Sequence, residues 1–328
     1  MTTIAALDEP TQRASHRARL LRVRVSDAVS LAVSDFGPRN AEHTVVLLHG
    51  FCLSQAMWAG QVDYLLRRYP GSVRVISYDH RGHGQSGSAP MRTYSIAQCA
   101  ADLAALLEVL AVAGTVTLVG HSMGAMVAIA YQGLAHRPVE ASGLVLIATA
   151  ARRLTGSGLG RLLGSPATGV LFELINHTPQ RPWRALSGPV AAVLRRLHSH
   201  DVRRQTVAAV TAAALSSTPV STAVGFLPSL RGFDTFHVLG SIRAHTTVVS
   251  GGADLLTPPA HAVELAAAIP GCRHVHVPAG GHMLCQQAPH VVNSAIATTI
   301  RRAAATPKAA APHHRTCIPA VSSMGRPA

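Results

Sequence analysis

Long apolar runs and paired cysteines are both scarce in this sequence. No stretch of 18 residues is apolar and free of charge, and residues 1–24 hold no apolar run of signal-peptide length. The 5 cysteines form an odd set without C-x-x-C spacing, which argues against a disulfide framework and against a cysteine zinc site. We therefore expect a cytoplasmic protein with free thiols, no metal ion and no organic cofactor.

Acidic residues and lysine are also scarce. Asp and Glu number 15 against 29 Lys and Arg, for a formal net charge of +14, and only Lys308 is a lysine. Residues 151–232 carry ten basic residues against two acidic ones. The chain has no nucleic-acid recognition motif, so we expect no nucleic-acid partner. The basic segment suits an anionic substrate or a peripheral contact with an anionic membrane surface, and solvated helix faces are the simpler explanation of the same charges.

The chain of 328 residues alternates strand and helix patterns, with one interruption. This alternation predicts an α/β protein with a mostly parallel, doubly wound sheet and right-handed crossovers. We expect strands at 21–25, 30–34, 44–48, 73–78, 116–119, 143–148, 245–250 and 273–277, and helices at 54–68, 95–113, 259–269 and 288–303. We divide the chain into a disordered segment (1–19), a first core part (20–150), an inserted helical cap (151–232), a second core part (233–303) and a disordered tail (304–328).

A serine lies where a predicted strand meets a predicted helix. Residues 116–119 are apolar, 120–124 read Gly-His-Ser-Met-Gly, and 125–131 have the character of a buried helix. Strand, G-x-S-x-G and helix form a nucleophile elbow, whose sharp turn exposes the serine oxygen. Gly120 and Gly124 have no side chain, so the neighbouring backbone can close around the turn. We predict that Ser122 is a catalytic nucleophile; a plain tight turn is the alternative.

With this motif in place, residues from about 20 to 303 resemble the α/β-hydrolase family, in its serine esterase and lipase branch with a helical cap. The resemblance implies an oxyanion hole after the strand at 44–48. In the family, the residue after His-Gly supplies one backbone N–H, which implies that role for Phe51, and Met123 supplies the second. His49 and Gly50 belong to the same loop, and we expect His49 to orient it.

Two later loops follow the family pattern as well. Asp254 follows a predicted strand in a loop that resembles the family's acid loop, and His282 stands in a glycine-flanked loop after the last strand. The order Ser122, Asp254, His282 is the one described for this fold, and each residue follows a strand at the sheet's carboxyl edge. The resemblance implies a triad in which His282 takes the serine proton and Asp254 fixes the imidazole.

A glycine pattern after the strand at 73–78 offers a different interpretation. Gly82, Gly84 and Gly87 match the G-x-G-x-x-G dinucleotide fingerprint, but that fingerprint needs a helix to begin at once. The next predicted helix begins only near residue 95. We therefore expect no nucleotide here, and the stretch resembles a structural Asp-x-Arg-Gly-x-Gly-x-Ser loop of the family.

These features predict a serine hydrolase that cleaves a small-molecule carboxylic ester through an acyl-enzyme on Ser122. A serine nucleophile argues against epoxide hydrolases and haloalkane dehalogenases, which use aspartate on this fold. Two alternatives stay open: a lactonase, C–C bond hydrolase or cofactor-free perhydrolase with the same triad, or a slow-turnover ligand receptor. Candidates for an apolar acyl pocket, or for packing of the cap on the core, are Leu171, Phe172, Leu174, Ile175, Trp183, Leu186 and Phe226.

Overall fold

A single eight-stranded sheet organises the computed structural model, which describes residues 17–152, 154 and 218–305. Its strands are β1 (Arg19–Arg24), β2 (Ser30–Phe36), β3 (His43–Leu48), β4 (Val73–Tyr78), β5 (Thr115–His121), β6 (Gly143–Ile147), β7 (His245–Gly251) and β8 (Arg273–Val277). They lie in the order β1-β2-β4-β3-β5-β6-β7-β8. Strands β3 to β8 pair in parallel, and β1 and β2 form the antiparallel edge. The predicted α/β class is confirmed.

Alternating side chains of the central strands build a core on each face of the sheet. In β3, Val46 and Leu48 join one buried cluster, and Val45 and Leu47 join the other. A strand covered on both faces has no solvent side, which explains its continuous apolar sequence. Every residue of β3, β4 and β6 is buried accordingly.

Helices cover both faces. They are α1 (Ala59–Arg68), α2 (Ile96–Val109), α3 (Met123–Gln132), α4 (Val220–Arg231), α5 (Phe236–Leu239), α6 (Pro259–Ala268), α7 (Leu284–Gln287) and α8 (Pro289–Ala305). Helices α1 and α8 contribute to one core cluster, and α2, α3 and α4 contribute to the other. In the described part of the chain, no helix combines the length and the apolar character needed to cross a bilayer.

The first helix was predicted to begin at 54, and this is wrong by about one turn. A 3-10 turn, Gln55–Trp58, comes first, and α1 begins at Ala59. The side chain of Ser54 makes no capping hydrogen bond. The carboxylate of Asp79 instead accepts the Gln55 N–H at 2.7 Å, so it satisfies a free donor at the start of the turn.

The edge strand begins earlier than predicted. β1 starts at Arg19, the last residue of the segment expected to be disordered, where the strand pairs with Asp35 of β2 and the Arg19 side chain forms an ion pair with that buried carboxylate at 2.9 Å. Most of the predicted cap lies outside the described residues, and so do eight of its ten basic residues. The described end of that insertion is α4, which returns to the core. The other domain bounds stay predictions.

Candidate active site

Ser122 occupies a strained turn between β5 and α3. Its backbone has φ 52° and ψ −118°, a conformation that costs a residue with a side chain on the order of 1–3 kcal/mol. Neighbouring bonds hold the turn in place. The Ser122 N–H donates to the Ile147 carbonyl at 2.8 Å, and Thr149 Oγ1 donates to the Ser122 carbonyl at 2.9 Å. Ser122 itself is half-buried, so the turn leaves part of the serine exposed.

The two glycines of the elbow allow this turn to pack. A Cβ added to Gly120 would lie 2.4 Å from the Ala125 backbone, and one added to Gly124 would lie 2.2 Å from the Leu48 carbonyl oxygen. Real Cβ atoms do not approach backbone atoms so closely. Gly120 and Gly124 therefore bring α3 against the ends of β3 and β5, as the sequence pattern predicted.

The loop after β3 lies beside the elbow. It contains His49, Gly50 and Phe51, and His49 is fully buried. His49 Nδ1 donates to the Gly50 carbonyl at 2.8 Å, while its Nε2 accepts the His80 N–H at 2.9 Å. Burial lowers the pKa of His49 to about 4, so the ring is neutral and holds one tautomer at neutral pH. This geometry is what a loop-orienting histidine needs.

Two backbone N–H groups are available near Ser122. Among the described residues, the hydrogen-bond network gives neither the Phe51 N–H nor the Met123 N–H an acceptor. Met123 opens α3, whose first N–H groups carry the positive end of the helix dipole. These are the two donors that the family resemblance implies for an oxyanion hole.

Asp254 lies in the loop after β7 and is 3% exposed. Its Oδ1 accepts the N–H groups of Leu256 at 2.8 Å and Thr257 at 3.0 Å. Its Oδ2 accepts the Thr257 hydroxyl at 2.8 Å and His282 Nδ1 at 2.8 Å. Burial raises the pKa of this carboxyl, but the nearby His282 and these hydrogen bonds outweigh it, so the pKa of Asp254 falls below its usual value. The group is a carboxylate at neutral pH.

His282 is brought to Asp254 by two loops that pair at the end of β7 and β8. The Gly252 N–H donates to the Val277 carbonyl and the Ala253 N–H to the Gly280 carbonyl, both at 2.8 Å. With Nδ1 bonded to Asp254, the second nitrogen Nε2 stays available as a proton acceptor. The structure thus joins Asp254 and His282 directly.

His121 links this pair to the elbow. It precedes Ser122, and its Nε2 lies 2.9 Å from the His282 carbonyl oxygen, with ring centroids 5.0 Å apart. Burial lowers the pKa of His121 to about 3, so a neutral imidazole donates this bond. All the predicted site residues therefore gather on adjoining loops at one edge of the sheet.

Sequence reasoning missed three polar supports of the site: His121, Thr149 and Thr257. His121 and Thr257 stood within the motif and the acid loop, but neither spacing nor residue type says which carbonyl or carboxylate they reach. Of the candidates for the acyl pocket, only Phe226 lies within the described residues. It is fully buried and contacts Phe51 with ring centroids 6.3 Å apart, so here it packs insertion against core.

A groove of about 680 Å³ lies away from these residues. It runs beside the antiparallel edge and α1, and Leu20, Val33 and Val62 contribute to its lining. None of Ser122, Asp254 and His282 lines it. The chemistry of the site, and not the volume of this groove, therefore identifies the candidate active site.

Sequence relatives share the chain's pattern to different extents. A proposed 2-succinyl-6-hydroxy-2,4-cyclohexadiene-1-carboxylate synthase of Bacillus subtilis (strain 168) is 38% identical over 131 residues, which cover 39% of this chain and 44% of that protein. RutD of Klebsiella pneumoniae (strain 342), a proposed carbamate hydrolase, is 29% identical over 251 residues, covering 73% of this chain and 84% of that protein. The match to the first relative thus spans less than half of its length.

Solved structures resemble the chain over most of its length. An esterase from Thermogutta terrifontis superposes with a TM-score of 0.68 at 26% identity, covering 87% of this chain and 99% of that one. The enol-lactonase from Burkholderia xenovorans LB400 gives a TM-score of 0.66 at 26% identity, covering 86% and 100%. A family profile described as the alpha/beta hydrolase fold matches residues 43–289, which is most of the chain. The chain is a member of the α/β-hydrolase fold family.

Proposed function

We propose that this hydrolase-family protein is a serine hydrolase that cleaves a carboxylic ester through an acyl-enzyme on Ser122. One observation carries the proposal. A strained serine heads α3, the preceding His121 binds the carbonyl oxygen of His282 at 2.9 Å, and Nδ1 of His282 lies 2.8 Å from the buried carboxylate of Asp254. A serine hydroxyl is a weak nucleophile at neutral pH, and this arrangement supplies the base that it lacks.

In the proposed acylation step, His282 Nε2 takes the Ser122 proton as the serine oxygen attacks the ester carbonyl. The imidazole becomes positively charged, and the Asp254 carboxylate stabilises that charge. The protonated Nε2 then donates its proton to the departing alcohol. Water, deprotonated by the same nitrogen, attacks the acyl-enzyme and returns free Ser122 with the carboxylic acid.

Negative charge develops on the carbonyl oxygen in both steps. The N–H groups of Phe51 and Met123 would stabilise this charge by hydrogen bonding. Met123 follows Ser122 in sequence, and Phe51 belongs to the adjoining loop after β3. Loss of one such donor costs about 3–4 kcal/mol of transition-state stabilisation in well-studied hydrolases. The two donors belong to backbone held by neighbouring strands, so they need little reorganisation during the reaction.

A cyclic ester is the second candidate substrate. The structural likeness to an enol-lactonase favours this variant of the same chemistry. A lactone reacts by the same two steps, but its leaving alcohol stays attached to the acyl group. The proposed mechanism therefore covers esters and lactones, and the pocket decides between them.

A panel of p-nitrophenyl esters, C2 to C16, together with aliphatic γ- and δ-lactones, tests the proposal. We expect multiple turnovers by the wild type and none by Ser122→Ala. Ser142→Ala, immediately before β6 and away from the site, is the matched control and should keep wild-type rates. Retention of most activity by Ser122→Ala would refute the nucleophile. Release of no more than one equivalent by the wild type would favour a ligand receptor instead.

A further inference from the structure

A second buried histidine holds the loop that carries Phe51. His83 Nε2 accepts the Cys52 N–H at 3.2 Å, and His83 Nδ1 lies 3.1 Å from the Arg81 carbonyl oxygen, to which it donates. The ring is fully buried. Burial, aided by the nearby His49, lowers the pKa of His83 to about 3, so the ring stays neutral and keeps this tautomer at neutral pH.

The two histidines fix the peptide groups on either side of Phe51. His49 binds the carbonyl of the Gly50–Phe51 peptide, and His83 binds the N–H of the Phe51–Cys52 peptide. Each peptide group is planar, so fixing one atom of it restricts the orientation of the whole group. The Phe51 N–H lies in the first of these planes. Fixing the second plane restricts the backbone rotations at Phe51 that would reorient this N–H.

Strain in the loop makes such a restraint necessary. Cys52 has φ 57°, in the left-handed region that side chains disfavour. A strained loop persists only when its surroundings hold it. His83 supplies a hydrogen bond at the strained residue itself.

An aromatic side chain from α4 supports His83 from the other side. The ring of Phe226 lies 5.4 Å from that of His83 and 6.3 Å from that of Phe51, and His83 and Phe51 are also 6.3 Å apart. Phe226 stacks in turn on Tyr94 at 5.2 Å. Because these rings are packed close to one another, they restrict rotation of the His83 ring away from the loop.

We propose that His83 is a positioning residue of the oxyanion hole: through its hydrogen bond to the Cys52 N–H it aims the Phe51 N–H at the developing negative charge. This inference rests on the proposed function. It assigns His83 no proton transfer, because its two nitrogens are engaged by Cys52 and Arg81. Its contribution is made in the transition state, so its loss should lower kcat more than it raises KM.

Two amide variants separate the hydrogen bond from the ring. In His83→Gln, the side-chain oxygen reaches the position of Nε2 and can accept the Cys52 N–H. In His83→Asn, the shorter amide reaches only the position of Nδ1, so it keeps a bond to the Arg81 carbonyl and loses Cys52. His43→Asn is the matched control, because His43 is also buried and bonds one side chain, Thr117, at the opposite end of β3.

We expect His83→Asn to lower kcat for p-nitrophenyl acetate by roughly 10- to 100-fold, with KM within about threefold of wild type. His83→Gln should stay within about threefold of the wild-type kcat, and His43→Asn should match the wild type after correction by active-site titration. Binding of a trifluoromethyl ketone, which forms a tetrahedral adduct on serine, should weaken in His83→Asn by the same factor as kcat. Equal losses of kcat in His83→Asn and His83→Gln, or a change in KM without a change in kcat, would overturn the inference.

Amide hydrogen exchange at Cys52 tests the restraint without using activity. Exchange should accelerate at least about tenfold in His83→Asn and stay slow in His83→Gln. Unchanged protection of the Cys52 amide in both variants would overturn the inference even if activity fell. Turnover that persists in Ser122→Ala would refute the proposed function separately, and the Cys52 measurement would still decide whether His83 holds the loop.

Discussion

Asp254→Asn is the sharpest test of the site because the structure dictates how the new amide must lie. Oδ1 of Asp254 accepts two backbone N–H groups, from Leu256 and Thr257. Backbone N–H groups cannot become acceptors, so the amide NH₂ cannot occupy that position. In the variant, the amide oxygen must face Leu256 and Thr257, and the NH₂ must face His282 Nδ1.

That orientation reverses the histidine tautomer. An NH₂ group donates to Nδ1, so the imidazole proton moves to Nε2, which can then no longer accept the Ser122 proton. In a serine protease the equivalent change lowers kcat about 10⁴-fold. We expect a loss of the same order here, equivalent to about 5 kcal/mol of barrier.

The assay is steady-state hydrolysis of p-nitrophenyl acetate, with ¹⁵N NMR of His282 as a direct reading of its tautomer. Thr257→Val is the matched comparison: it removes the hydroxyl bond to Oδ2 but leaves the carboxylate and the tautomer, so kcat should fall no more than about tenfold. If Asp254→Asn kept kcat within tenfold of wild type, or kept the proton on Nδ1, the reasoning from this hydrogen-bond network would be refuted.

Three other outcomes follow from the packing. Ser122→Gly should abolish turnover yet raise the free energy of unfolding by about 1 kcal/mol, because glycine tolerates φ 52°; a lower melting temperature would contradict this. Gly124→Ala should cost about 3 kcal/mol in urea unfolding and most of kcat, since its Cβ would lie 2.2 Å from the Leu48 carbonyl; wild-type stability would argue against the elbow geometry. His83 and His121 have pKa values lowered to about 3, against about 6.5 in the unfolded chain. Below about pH 6.5 the unfolded state therefore binds more protons than the folded state. As the pH is lowered from about 6.5, the free energy of unfolding should fall by about 1 kcal/mol per pH unit for each ring; equal urea midpoints at pH 7 and 5 would contradict this.

The sequence predicts most of the sheet because strand patterns report burial directly. β4 and β8 have the predicted bounds, and β3 differs by one residue. Helix starts are less predictable, since the N–H groups there can be satisfied from distant parts of the chain. Asp79 does this for Gln55 from 24 residues away, whereas the side chain of the neighbouring Ser54 makes no capping hydrogen bond.

Hydrogen bonds between loops explain what the site analysis missed. Thr257 orients Asp254 from three residues away, but His83 reaches Cys52 across 31 residues and His121 reaches His282 across 161. No local pattern encodes such contacts, because they depend on which loops the sheet order brings together. Family resemblance named the predicted catalytic residues and the loop that His49 orients, and it left His83, His121 and Thr257 unnamed.

The sequence by itself determined the alternation of strands and helices, the glycine-flanked serine, and the order of the three predicted catalytic residues, because each depends on residue type and short-range spacing. Only the tertiary structure decided that His282 meets Asp254, that His121 joins both to the elbow, and that His83 and Phe226 hold the Phe51 loop. The physical reason is that these contacts form between loops at the carboxyl ends of strands far apart in sequence. Their geometry is set by the parallel order of the sheet and by close packing around the buried, neutral histidines.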